Sequence, residues 1–236
     1  MGLLGDGRAL LLGHPSGIGG NRTYLFDPES NEFEEGPPTL HPHGDGLSGA
    51  AVALHDGRVL LLGTTVSEVF DPVTYSFTEV GRHLNRSGFT ATLLSDGRVL
   101  IVGGQEESEP FALVRVAEIF DPPTGEFTLV GELDQARFWH AAVLLPDGTV
   151  LVGGGASGDL RSGLDRAEIF DPSSDEFAAV PSSMTRERVA PGAVALPDGR
   201  ALIVGHYPGN GGFGSDEGSS TAELFIPGPV AAGTDG

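Results

Sequence analysis

The residues best suited to chemistry stand in a few short stretches. Arg86 in NRSGF, Arg137 in ARFWH, and Arg186 and Arg188 in TRERV recur at similar spacing, and Trp139 and His140 follow Arg137 directly. Guanidinium groups gathered at one place could clamp a carboxylate, a phosphate or sugar hydroxyls, because each presents a fixed fork of donors on a permanent charge. Trp139 would then be a stacking platform for a sugar, and His140 a group able to carry a proton. His206, beside Gly205 at the head of a Gly-rich loop, joins the same set of expected ligand contacts. These residues also have a structural reading. The arginines would bond backbone carbonyls or an acid of a neighbouring repeat, Trp139 would pack in a wall, and His140 would satisfy a loop.

Other stretches offer less. His41, His43 and Asp45 in HPHGDG supply closely spaced nitrogen and oxygen donors, but with no fourth ligand in view they read as a solvated loop and are only weak metal candidates. Glu187 and Asp134 are the acids near the arginines, and acid–base work on a glycoside would need two such groups to converge. No residue is assigned a catalytic role. GLSGA at 46–50 ends in Ala50 and lacks the strand-to-helix setting of a serine-hydrolase elbow, and GHPSGIGGN has no helix to present to a phosphate.

Composition narrows the choices. The net charge is −20, and all 13 basic residues are Arg. Such a chain is repelled by nucleic-acid backbones and anionic headgroups, so neither is an expected partner. Without Cys there is no thiol nucleophile, thiolate metal site or disulfide, and without Lys there is no Schiff-base amine. No apolar stretch is long enough for a membrane-spanning helix, and MGLLGDGRALLLG lacks the pattern of a signal peptide. Taken literally this places the protein in the cytoplasm, or outside the cell if Met1 is not the native start. With 37 Gly, 17 Pro and no heptad pattern, the elements that carry these residues must be short strands joined by tight turns.

Those strands repeat. The Asp-Gly pairs at Asp6, Asp56, Asp96, Asp147 and Asp198 mark five units. Each pair lies between two apolar runs and reads as a hairpin turn, with Gly supplying positive φ. The runs are strands a and b. A third run, strand c, ends in FDPESNEF, FDPVTYSF, FDPPTGEF or FDPSSDEF, a phrase that predicts a c-to-d turn with Phe33, Phe77, Phe127 and Phe177 opening strand d. Strand b carries apolar residues without alternation, as in Val99 to Val102, which requires cover on both faces. The expectation is an all-β β-propeller of about five four-stranded antiparallel blades, over residues 1–36, 47–81, 87–131, 137–181 and 188–228, with 229–236 a tail. Asp56, Gly57, Asp96, Gly97, Asp147 and Gly148 are assigned to turns, and Phe70, Phe120, Phe127, Phe170 and Phe177 to the core. Met1 to Leu4 match only the end of a strand a, and the fifth unit has no clear strand d. The first and last blades are therefore expected to be incomplete, leaving an open arc or a fragment of a larger propeller that could self-associate through its uncovered edges.

The stretches DGRVLIVGG, AEIFDPPTGEF and ARFWHAAVLLPDGTVLVGGG resemble the kelch repeat of galactose-oxidase-like propellers, in the Gly-Gly doublet, the strand-d aromatic and the Arg-x-x-His step into the next strand a. The doublet is complete at Gly103-Gly104 and Gly154-Gly155, and reduced at Gly13-His14, Gly63-Thr64 and Gly205-His206. Phe stands where kelch repeats usually have Trp. The resemblance implies a non-enzymatic binding module, often bacterial, whose b-to-c and d-to-a loops recognise a protein segment or a glycan, with no cofactor. Two alternatives stand beside it: a carbohydrate-acting epimerase or hydrolase, and a passive repeat segment of a larger surface protein. The copper radical chemistry of galactose oxidases uses a Tyr crosslinked to Cys, and this chain has no Cys.

Overall fold

The computed structural model describes residues 1–13, 20–43, 50–64, 66–107, 112–158, 163–205 and 221–227. Every regular element among them is a strand, and the strands form six antiparallel sheets of two to four members. Sheet 1 holds β1 (Gly2–Leu3), β2 (Ala9–Gly13), β3 (Arg22–Asp27) and β4 (Glu32–Glu35). Sheet 2 holds β5 (Ala50–Ala53), β6 (Val59–Leu62), β7 (Ser67–Asp71) and β8 (Ser76–Glu79). A two-stranded ribbon joins β9 (Arg86–Ser87) to β12 (Gln105–Glu106) and flanks sheet 3, made of β10 (Thr90–Leu93), β11 (Val99–Val102), β13 (Val116–Asp121) and β14 (Glu126–Glu132). Sheet 4 comprises β15 (Ala141–Leu144), β16 (Val150–Gly153), β17 (Ala167–Asp171) and β18 (Glu176–Ala179). Sheet 5 has three strands, β19 (Gly192–Ala195), β20 (Ala201–Val204) and β21 (Ala222–Phe225).

The turns follow from their residues. In each a-to-b hairpin the Asp carboxylate accepts the backbone N–H two positions on, from Arg58 and Arg98 at 3.0 Å for example, while Gly57 and Gly97 take φ of 86° and 92°. In the c-to-d turns Asp27, Asp71 and Asp171 accept from Glu29, Val73 and Ser173.

The core lies between sheets. Val99 and Ile101 of β11 pack with Leu60 and Leu62 of sheet 2, while Leu100 and Val102 pack with Val150 and Val152 of sheet 4. That two-sided burial explains why strand b shows no alternation. It holds in full for β6, β11 and β16, but β2 and β20 are only partly covered. Phe70, Phe120 and Phe170 are 0% exposed, worth about 2–3 kcal/mol each. Phe33, which opens strand d as Phe77 does, is 63% exposed against 7% for Phe77, because no described sheet covers the outward face of sheet 1. The first strands of successive sheets pack on one another, β1 on β5, β5 on β10, β10 on β15 and β15 on β19.

Candidate functional site

The d-to-a segments and the ends of strands b meet at one end of the sheets. Here Arg86, Arg137 and Arg188 are each 0% exposed. Arg137 donates from Nη1 to the carbonyls of Gly154 and Arg166, both at 2.9 Å, and from Nη2 to Glu168 at 2.7 Å. Arg86 repeats the pattern with Gly103, Val116 and Glu118, and Arg188 with Gly205, Thr221 and Glu223. Burial pulls the guanidinium of Arg86 and of Arg137 below its ordinary value, and the facing glutamate opposes that shift. With no exposed surface, and with Nη1 and Nη2 of each held by carbonyls and a glutamate, the three guanidiniums sit as posts inside the fold; of their nitrogens only the buried Arg86 Nε has no partner among the described residues.

Each glutamate serves twice. Besides its arginine, Glu168 accepts the N–H of Asp134 at 2.7 Å, Glu118 that of Leu84, and Glu223 that of Thr185. A strand-c side chain thereby fixes the incoming d-to-a segment. Sheet 2 uses His43 instead of Arg. It reaches Glu68 at 3.1 Å, while Glu68 also accepts from the N–H of Leu40 and of His41. Sequence reasoning missed these acids. Their signal is a Glu at a fixed place before the Phe in SEVF, AEIF, AEIF and AELF, inside otherwise apolar strands.

The Gly doublets join one unit to the next. Gly104 donates to the carbonyl of Arg137 at 2.8 Å, and Gly155 to that of Arg188 at 2.7 Å. A Cβ at Gly103 would lie 2.4 Å from the Arg137 carbonyl, and φ there is 64°. Only Gly meets both conditions.

Trp139 sits between units. It has φ 50°, matching Gly88 at 65° and Ala190 at 49°, and the three are linked: Trp139 N–H to the Gly88 carbonyl and Ala190 N–H to the Trp139 carbonyl, both 2.8 Å. Its half-buried indole lies over Gly88 and 5.2 Å from the Phe138 ring, beside a cluster of Phe138, Ala156 and Val189. His140 is buried. Its Nε2 lies 2.8 Å from the Thr90 hydroxyl, its Nδ1 has no partner among the described residues, and burial with Arg137 and Arg86 nearby lowers its pKa to about 3. It is therefore neutral at physiological pH and enclosed, a poor position for proton transfer to a substrate.

The remaining candidates do not join this group. Arg186 and Glu187 are exposed on the d-to-a segment, and Asp134 is exposed near Arg137. His41 pairs with Glu79 at 2.9 Å, so the two histidines of HPHGDG are committed to different carboxylates. No cluster of three metal-ligating side chains occurs among the described residues. Asp45 and His206 lie outside the described residues, as do the central parts of the b-to-c loops.

The sequence matches no protein-family profile and no curated protein. Solved structures do match. One is a fungal alcohol oxidase of the AA5 family, solved in complex with copper, with a TM-score of 0.61 and 16% identity over 96% of this chain and 61% of that one. The chain thus spans about 61% of that protein's length. At this identity the likeness is one of fold, an all-β arrangement of antiparallel sheets.

Proposed function

We propose that the chain is a kelch-type propeller segment that acts as a non-enzymatic binding module, recognising a protein segment or a glycan through its b-to-c and d-to-a loops. The carrying observation is a division of roles at one end of the sheets. Buried Glu–Arg posts and close-packed glycines hold the loop bases, while the segments between those bases differ in length and chemistry, as in GGQEESEPFALVR and GGGASGDLRSGLDR. A rigid base under variable loops is the arrangement of a recognition surface. Exposed Arg186 and half-buried Trp139 are the side chains of this end best placed to add a charge and an aromatic face to it.

The alcohol-oxidase chemistry of the similar structure does not transfer. The thioether-linked tyrosine that the family resemblance implies needs a Cys, and there is none. The test is a glycan array and a peptide library probed with the protein and with a variant whose segments 107–112 and 158–163 are replaced by Gly-Ser linkers. Binding that is lost with the loops while circular dichroism is unchanged supports the reading. Turnover of a bound sugar, or binding that survives loop replacement, overturns it.

A further inference from the structure

Sheets 3, 4 and 5 each rest on a buried arginine, a group that stays charged at any physiological pH. Sheet 2 divides the work of that guanidinium between two imidazoles. His43, 7% exposed, takes the acid: its Nε2 lies 3.1 Å from the fully buried Glu68, and its Nδ1 lies 3.0 Å from where a Cβ on Gly63 would stand. His83 takes the carbonyl. Its Nε2 lies 2.9 Å from the oxygen of Gly63, the place at which Arg86, Arg137 and Arg188 donate to Gly103, Gly154 and Gly205.

The exchange has a consequence because an imidazole changes charge between about pH 5 and pH 8. Glu68 accepts the N–H groups of Leu40 and His41, both at 2.8 Å, and Gly20 of the b-to-c connection of sheet 1 pairs with the backbone of His43. One acid thus ties down the d-to-a segment and, through His43, joins sheet 1 to sheet 2. Burial alone would raise the Glu68 carboxyl, but hydrogen bonds from His43, Leu40 and His41 hold it below its ordinary value, so it is ionised at neutral pH. A protonated His43 makes a charge-assisted bond to that carboxylate, whereas a neutral one leaves a buried anion with neutral donors only. The joint is therefore tightest on the acid side of the imidazole titration and loosens as the pH rises.

The neighbouring groups act differently. His83 is 5% exposed, and burial pulls its imidazole below its ordinary value against the pull of Glu118, with Arg86 adding to the effect, so it stays neutral. His41 pairs with Glu79 at 2.9 Å on the surface, where solvent screens the pair.

We propose that His43 and Glu68 form a pH-sensitive latch on the joint between sheets 1 and 2, closed when His43 is protonated and loosened when it is neutral. The latch belongs to the frame and stands whether or not the loops bind a ligand.

Hydrogen–deuterium exchange of the full chain reads it locally. The N–H groups of Leu40 and His41 are bonded to Glu68 as those of Asp134 and Gln135 are bonded to Glu168, which sits under the permanent charge of Arg137. After correction for intrinsic chemical rates, protection of Leu40 and His41 should fall about tenfold relative to Asp134 and Gln135 between about pH 5.5 and about pH 8.5. His43→Arg restores a permanent charge and should abolish the relative fall. Glu68→Gln keeps an acceptor for both N–H groups without the charge, and should abolish it as well. An equal change in the two segments of the parent overturns the proposal. So does a relative fall that persists at full size in either variant, which would place the titrating group outside this pair.

Discussion

Replacing Arg137 by Met tests whether the buried arginines are posts. Arg137 is 0% exposed and faces Glu168, whose side chain is 4% exposed. Without the guanidinium, the Glu168 carboxylate keeps only the N–H groups of Asp134 at 2.7 Å and Gln135 at 3.4 Å, and the carbonyls of Gly154 and Arg166 lose a donor. Breaking a buried pair on one side costs about 3–5 kcal/mol, because the remaining charge is neither solvated nor matched. For a chain of this size each kcal/mol lowers the melting temperature by about 2–4 °C, so Arg137→Met should melt about 6–20 °C below the parent. Thermal and urea unfolding followed by circular dichroism measure this. The double variant Arg137→Met/Glu168→Met removes the stranded charge and should recover part of the loss, whereas additive losses would show that the two do not interact. If Arg137→Met melts within about 2 °C of the parent, the guanidinium carries no structural load, and its role as a ligand clamp returns.

Three further outcomes follow from the same geometry. His140 has a pKa of about 3 in the fold against 6.5 unperturbed, so between those values only the unfolded chain takes up its proton. Stability from this group is complete above the higher value and falls with pH by about 1.4 kcal/mol per unit toward the lower one. His83, also lowered by burial, acts in the same direction. Unfolding free energies from urea titrations at about pH 7.5 and about pH 5 should therefore differ by about 2 kcal/mol more in the parent than in His140→Gln, and an NMR titration of His140 with an ordinary midpoint would remove the basis for this. Gly103→Ala should cost about 2–4 kcal/mol, combining left-handed strain with displacement of the Arg137 carbonyl, but Gly205→Ala, with no atom of a described residue within 4 Å, only about 1–2, and equal urea costs would contradict the inter-unit contact. Phe77→Ala should destabilise by about 3–5 kcal/mol and the exposed Phe33→Ala by less than about 1, which thermal melts of the two variants would separate.

The strand order and the turns were legible in the sequence because they depend on local chemistry. Asp-Gly and Asp-Pro fix backbone angles at their own positions, and a b strand such as VLIV announces cover on both faces. The candidate site was only half legible. Arg86, Arg137 and Arg188 were found by their spacing, but their partners Glu118, Glu168 and Glu223 lie 30 or so residues away, and an acid inside an apolar strand reads as an edge residue until its cation is placed. His43 could not be recognised as the stand-in for an arginine, since only the fold shows that Glu68 occupies the place of Glu118. The exposure of Phe33 was hidden for a different reason: the Phe-Asp-Pro phrase that carries it recurs in similar form in four units, and burial depends on whether a neighbouring sheet is present.

The repeat and the loops are connected physically. Two inter-unit joints take one part from each side, a glycine doublet from one sheet and the carbonyl of an arginine from the next, as Gly104 with Arg137 and Gly155 with Arg188, while between sheets 2 and 3 the Arg86 N–H donates to the Thr64 carbonyl at 3.2 Å. Arg137 and Arg188 are in turn locked to the glutamates of their own c strands, so their carbonyls cannot shift without breaking a buried ion pair. The positions from Arg86 to Gly88, Arg137 to Trp139 and Arg188 to Ala190 are consequently held on both sides. Just beyond the doublets, Gln105, Glu106 and Ala156 still pair with Ser87, Arg86 and Phe138, and the sequences diverge farther along each loop. Change in those segments alters what the surface touches without disturbing the joints beneath it. Substitution of the doublets or the posts does the reverse, and that asymmetry is what makes a set of similar sheets usable as a base for dissimilar loops.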